Sequence, residues 1–219
     1  GRFLREELTR VGCDTRYLIT DREHLTALVI LGIKDQETFP LIFYRENCAD
    51  MALTRDDIDE AYIASARCLA ITGTHLSHPK TLDAVLTALS YARQHGVRTV
   101  IDLDYRPVLW GLTSLGDGET RFIANAQVTA SLQEVLAQFD LIVGTEEEFH
   151  IAGGSTDTLT ALRRVRELTR AELVCKRGAL GCSVFSGAIP DALDAGLTIT
   201  DSLALLEKHA PDVVVLDIK

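Results

Sequence analysis

The chain has 219 residues, 47% of them hydrophobic, and a formal net charge of -10 from 22 basic and 32 acidic side chains. That much apolar material buries one sizeable core and excludes a disordered chain. The acidic surface excludes nucleic acid and anionic membrane as natural partners, so a small anionic ligand has to be held by a few placed cations.

No apolar run approaches the length of a bilayer span. The opening GRFLREELTR lacks the basic, apolar and small-residue order of a signal peptide, so a cytoplasmic location is expected. Cys13, Cys48, Cys68, Cys175 and Cys182 form no CxxC pair, which predicts buried free thiols in place of disulfides or structural zinc. The histidines are scattered; only His75 and His78 are close, in a Gly, Ser and Pro context that argues against a metal site.

Along the chain, Phe3, Leu4, Leu8 and Val11 make an apolar stripe at helical spacing that Gly12 stops. TALVILGI (26–33) and TFPLIFYR (38–45), joined by KDQE, predict a β-hairpin with one face open to a ligand. Thr54 and Asp57 make a capping-box pattern that predicts a helix running to about Arg67. Four βα-like alternations follow, with strands at 68–73, 99–103, 140–144 and 172–176 and helices at 79–95, 129–138, 146–152 and 157–169. Short apolar strands of this kind predict a mostly parallel, doubly wound α/β sheet with helices on both faces. The last 20 or so residues read as a helix, a break at Pro211 and a strand.

In such sheets ligands bind beyond the carboxyl ends of the strands, which directs attention to Thr72–His75, Asp102–Trp110, Gly144–Glu148 and Lys176–Gly181. Asp102, Asp104 and Arg106 leave one strand at two-residue spacing, which on an extended end points them to one side. Two readings are open: a site for an anionic or polyhydroxylated substrate, or a turn whose aspartates cap and pair with Arg106. Glu146, Glu147 and Glu148 open a helix, where the dipole strongly favours acids in any protein; the other reading is a carboxylate that holds a hydrated Mg²⁺ near nucleotide phosphates, and spacing does not decide between them. Lys176, Arg177, Gly178 and Gly181 form a cationic, glycine-containing turn that fits either a tight strand connection or a phosphate contact. Tyr44 and Arg45 end a hairpin strand, where they are an exposed pair or a clamp for a carboxylate and a hydroxyl.

Taken jointly, DLDYRPVLW (102–110), GTEEEF (144–149) and KRGALG (176–181), in this order, resemble the ribokinase-like PfkB carbohydrate kinase family. FPLIFYRENCADMAL and IDLDYRPVLWGLT are similar to its sugar-acid kinases. The resemblance covers roughly residues 1–197, which it marks as a partial kinase domain, and leaves 198–219 as a divergent tail. It implies that the hairpin 26–45 is a β lid and dimer surface and that Tyr44, Arg45 and Arg106 face a sugar acid. It further implies that Glu148 serves a Mg²⁺ and phosphate network through water and that Lys176 and Gly178 contact ATP phosphates. Thr145 stands where the family's NxxE element has asparagine. The family's leading strand with its GG segment and its GAGD motif, which carries the base, are not found in the sequence, so the chain reads as the central part of a kinase. The rival from another class is a catalytically inactive regulatory or scaffold module of the same fold. No GxGxxG follows a strand, which disfavours a dinucleotide oxidoreductase. The ending LLEKHAPDVVVLDIK also resembles part of a response-regulator receiver with Asp217 as its acceptor.

Overall fold

Val, Ile and Leu runs of about five residues, each ending on a polar residue, set up the sheet at the centre of the computed structural model, which describes residues 1–35, 40–114, 120–193 and the backbone of 213–215. The strands β3 (Cys68–Thr72), β4 (Arg98–Asp102), β5 (Leu141–Thr145) and β6 (Glu172–Lys176) lie side by side and parallel. β7 (Cys182–Phe185) adds to β6 antiparallel, and β8 (Val213–Val215) adds to the far side of β3 in parallel. The resulting order is β7-β6-β5-β4-β3-β8. The mostly parallel α/β sheet is therefore present, and part of the tail belongs to it; the helix and the Asp217 expected in the tail lie outside the described residues.

Helices α3 (Pro79–His95), α4 (Ala126–Leu136), α5 (Glu146–Gly153) and α6 (Thr158–Leu168) fill the crossovers. α3 starts with Pro79 behind a His78 cap and stops at Gly96 in the left-handed conformation, as proline-first, glycine-last helices do. Because β3 to β6 advance in one direction, right-handed crossovers bring their helices to the same face. Burial follows that rule: Ile101, Ile142, Leu173 and Cys175 are inaccessible on one face, while Val100, Val143 and Val174 on the other remain half-buried. Coverage of both faces, expected from the apolar strands, is thus incomplete among the described residues. The covered face packs against Val85, Leu89, Leu132, Leu136, Phe149 and Leu162, each worth about 1.5–3 kcal/mol when fully buried.

The hairpin forms apart from this sheet, with β1 (Leu28–Leu31) antiparallel to β2 (Leu41–Tyr44). β1 is exposed along its length, and on β2 Phe43 alone is buried. α1 (Arg2–Arg10) precedes it and buries none of its residues.

Two local expectations are corrected. Thr54 and Asp57 do form a capping box, but it closes a 3₁₀ turn at Arg55–Asp57 only. Ile58 is extended and Asp59 caps a separate helix, α2 (Glu60–Ser65), because its carboxylate accepts from the Tyr62 N-H at 2.7 Å. Among the thiols, Cys48, Cys68 and Cys175 are buried, but Cys13 is exposed, since it follows α1 where no core reaches. Burial pushes the Cys175 thiol up to about 12.

At Gly73 the end of β3 passes so near the end of β4 that an added Cβ would stand 2.1 Å from the Leu103 carbonyl oxygen. Gly73→Ala is expected to destabilise the fold by at least about 2 kcal/mol in denaturant unfolding. Gly187→Ala, with open space around it, is expected to stay within about 0.5 kcal/mol.

His75, 1% exposed, gives a second prediction. Burial, helped by the Arg45 charge, pushes its ring down to about 4 from an ordinary 6.5. The unfolded chain then binds the extra proton between these values, so stability is complete above pH 6.5 and is lost as pH falls toward 4. The loss should reach about 3 kcal/mol and be absent from His75→Phe in urea unfolding measured across that range.

Candidate functional site

The parallel strands end on polar residues, and their ends enclose a cavity of about 290 Å³. Thr72 comes from β3, Asp102 from β4, Thr145 from β5 and Lys176 from β6, with Asp104, Arg106, Arg121, Glu147 and Glu148 completing the polar wall. Lys176 Nζ lies 3.0 Å from both oxygens of Asp102. Since β5 separates β6 from β4, the lysine side chain reaches across a strand to make this pair. The same ammonium is 3.9 Å from Glu148 Oε2.

Glu148 is 5% exposed and closes a capping box at the start of α5. Its Oε2 accepts from the Thr145 N-H at 2.7 Å, and its own N-H donates to Thr145 Oγ1 at 3.3 Å. Threonine in the place of asparagine therefore still caps this helix. Burial raises the Glu148 pKa, and the Thr145 N-H and the Lys176 charge oppose that rise. The three adjacent glutamates have separate places: Glu146 pairs with Arg177 at 3.2 Å, Glu147 lines the cavity and Glu148 faces Lys176.

Asp104 has a φ of 34°, a left-handed conformation that aspartate tolerates better than most residues. The chain is therefore not extended through this point, yet Asp102, Asp104 and Arg106 all reach the same cavity. Arg106 Nη2 pairs with Asp104 Oδ1 at 2.7 Å, and Asp104 Oδ2 accepts from Thr72 Oγ1 at 3.2 Å. The ion pair expected in a turn is present, and the same turn lines the cavity.

Gly178 (φ 56°) and Gly181 (φ 88°) make the turn after β6, where only glycine sits without strain. The turn is closed by Arg177 N-H donating to the Gly181 carbonyl at 2.7 Å.

The structure does not bring Tyr44 and Arg45 to this cavity. Tyr44 is 55% exposed, and Arg45, 6% exposed, donates to Asp50. Side chains alternate along a strand, and it is Leu41 and Phe43 that face Arg106 and Arg121 across a smaller hollow of about 120 Å³. Arg121 was missed in the sequence because it follows a loose loop and no strand; its one signal was being the first cation after LTSLGDGET. Trp110 packs against the core. His78 caps α3 through Nδ1, which accepts from the Lys80 N-H at 3.3 Å.

Lys176→Met is expected to raise the Glu148 pKa further, since it removes a cation that holds the carboxylate charged. A carbon NMR titration of the glutamate carboxyls checks this; an unchanged Glu148 would show that the lysine does not act on it.

Comparisons place this geometry among known proteins. The family described as pfkB family carbohydrate kinase matches residues 1–193. A 5-dehydro-2-deoxygluconokinase of Geobacillus kaustophilus is 40% identical over 151 residues, covering 68% of this chain and 41% of that protein. One from Halalkalibacterium halodurans is 33% identical over 193 residues, covering 86% and 54%. The chain thus spans about half the length of the curated relatives it matches. The solved PfkB protein from Polaromonas sp. JS666 superposes with a TM-score of 0.69 at 25% identity, covering 84% of this chain and 58% of that one. Vibrio cholerae fructokinase, solved with fructose, ADP and calcium ion, superposes at 0.68 with 20% identity, covering 87% and 56%, a likeness of fold. With the family match running from the first residue through the turn after β6 and beyond β7, this chain belongs to the pfkB family of carbohydrate kinases.

Proposed function

We propose that the chain serves ATP-dependent phosphoryl transfer to a hydroxyl of a small sugar acid, 5-dehydro-2-deoxy-D-gluconate or a near relative, giving its 6-phosphate. The observation that carries this reading is the meeting of Lys176, Glu148 and Arg106 in one cavity at the carboxyl ends of adjacent parallel strands. Phosphoryl transfer depends on alignment and charge stabilisation, and Lys176 and Arg106 supply cations for phosphate and carboxylate in an otherwise acidic protein. The names of the curated relatives support the sugar acid.

In this reading Lys176 and the Gly178 turn meet the nucleotide phosphates. The carboxylates suit a Mg²⁺ that keeps waters and takes one or two protein oxygens. Among the described residues no cluster of three or more metal-ligating side chains occurs, which fits an ion shared with phosphate better than a protein cage. Arg106, with Arg121 beside it, receives the sugar acid. A contact from Tyr44 or Arg45 requires the hairpin to turn toward the cavity, so the acceptor is assigned to the two arginines. The exposed apolar strand β1 is proposed as a homodimer surface, and the cytoplasm as the setting.

The sequence contains no GAGD motif. The base that takes the acceptor proton is accordingly proposed to come from a further segment, and the rival reading is an inactive scaffold of the same fold.

Calorimetric titration with ATP and Mg²⁺ is expected to show binding that Lys176→Met weakens roughly tenfold, the loss of about one charge-assisted hydrogen bond. Arg106→Leu should weaken 5-dehydro-2-deoxygluconate and spare ATP. ATP consumption is then compared between this chain and one extended through a GAGD segment. Turnover by the extended chain alone is expected; turnover by both would place the base within these residues, and no binding by either would overturn the kinase reading.

A further inference from the structure

Lys176 and Gly178 flank Arg177, so a contact that holds Arg177 also holds the turn between the cavity cation and β7. Gly178–Leu180 is exposed, and an added Cβ at Gly178 would meet nothing within 4 Å. The backbone bonds that close the turn join residues of the turn itself. Arg177 N-H donates to the Gly181 carbonyl at 2.7 Å, Leu180 N-H to Arg177 at 3.1 Å and Gly181 N-H to Gly178 at 3.0 Å. Such bonds fix the shape of an exposed turn, but its place against the rest of the protein needs contacts from elsewhere.

A series of side-chain hydrogen bonds supplies that place. Strand register sets Lys176 beside Thr145, so Arg177 comes level with Glu146, the first residue of α5. Arg177 Nε donates to Glu146 Oε1 at 3.2 Å. The other carboxylate oxygen, Oε2, accepts from the Thr158 hydroxyl at 3.0 Å, and that hydroxyl lies 2.8 Å from His150 Nε2. Glu146 and His150 are one helical turn apart on α5, and Thr158 is the first residue of α6, so one hydroxyl joins the two helices. The His150 ring stands edge-on to Phe122, with centroids 5.9 Å apart. The protons run one way. A carboxylate only accepts, and the single proton of the Thr158 hydroxyl goes to it, so the hydroxyl meets His150 as an acceptor and Nε2 is the donor.

We propose that His150, Thr158 and Glu146 are positioning residues that hold Arg177, and with it the Gly178 turn, where the turn meets the nucleotide. The inference rests on the reading in which Lys176 and this turn contact the ATP phosphates. All three residues stand outside the cavity wall, so they act through Arg177 and touch no substrate. A turn already in place has less freedom to lose when a ligand binds. The series therefore acts on ATP affinity and leaves the sugar acid, on the side of Arg106 and Arg121, unaffected.

Thr158→Val keeps the shape of the side chain and removes the hydroxyl, whereas Thr158→Ser keeps the hydroxyl. Amide exchange of the ligand-free chain, followed by NMR, should run about threefold or more faster at Leu180 and Gly181 in Thr158→Val. The amides of β4 should be unchanged, and Thr158→Ser should behave as the parent. Unchanged turn amides in Thr158→Val overturn the proposal, and so does an equal acceleration in β4, which a merely structural role would give. In an Arg177→Met background Thr158→Val should add nothing at the turn, because the link it breaks is already gone. A further acceleration there shows that the hydroxyl does not act through Arg177 and also overturns the proposal. Calorimetry with ATP and Mg²⁺ should find binding about threefold or more weaker in Thr158→Val, restored in Thr158→Ser, with 5-dehydro-2-deoxygluconate unaffected. A looser turn with undiminished ATP affinity overturns the role toward the nucleotide. If the parent chain binds no ATP and the turn amides still respond, the tether is upheld and the kinase reading fails, so the two failures are distinguishable.

Discussion

Lys176 reaches over β5 to pair with Asp102, and this pairing depends on strands that end at matched heights. Parallel pairing aligns Thr72 with Asp102 and Thr145 with Lys176, so polar residues that close separate strands become neighbours. A partly exposed ion pair contributes little to stability, about 0–1 kcal/mol. Its importance is positional: the ammonium is held between two carboxylates where an anion with more charge could compete for it. Asp102 and Glu148 both face that cation.

The carboxylates are held with equal definition and by different means. Glu148 is committed to the cap of α5, Asp104 to Thr72 and Arg106, and Glu146 to Arg177. Each acid is therefore oriented by a helix start or a turn that the fold needs in any case. The close approach of Gly73 to the Leu103 carbonyl brings the ends of β3 and β4 together, so the wall of the site and the packing of the sheet share the same backbone contact.

The hairpin stands in contrast to the sheet. Two strands alone are marginal in water, and the exposed residues of β1 give this pair little core of its own. What ties it down among the described residues is its second strand, through buried Phe43 and through Arg45 and Asp50 at its foot. Arg45, expected at the substrate, is instead buried at the foot of the hairpin, where its Nε donates to Asp50.

Much of this was legible in the amino-acid order. Short runs such as CLAIT and ELVCK between helical stretches read as sheet strands, and Pro79 with Gly96 bounds α3 at both ends. The segments after the strands were legible as site candidates because parallel strands point their carboxyl ends the same way. What needed the tertiary structure was direction and partner choice. Thr54 and Asp57 read as the start of a long helix, but a capping box is satisfied by a single turn, and Asp59 offered the backbone a second cap. Tyr44 and Arg45 read as lid contacts, but strand alternation and the nearby Asp50 turned them elsewhere, while Arg121 arrived from a loop without any periodic signal. Sequence determined the sheet strands, the main crossover helices and which residues end each strand, since those are local matters of period and capping. Which charges meet was decided by the pairing of strands far apart in the chain, where distance through space bears no relation to distance along it.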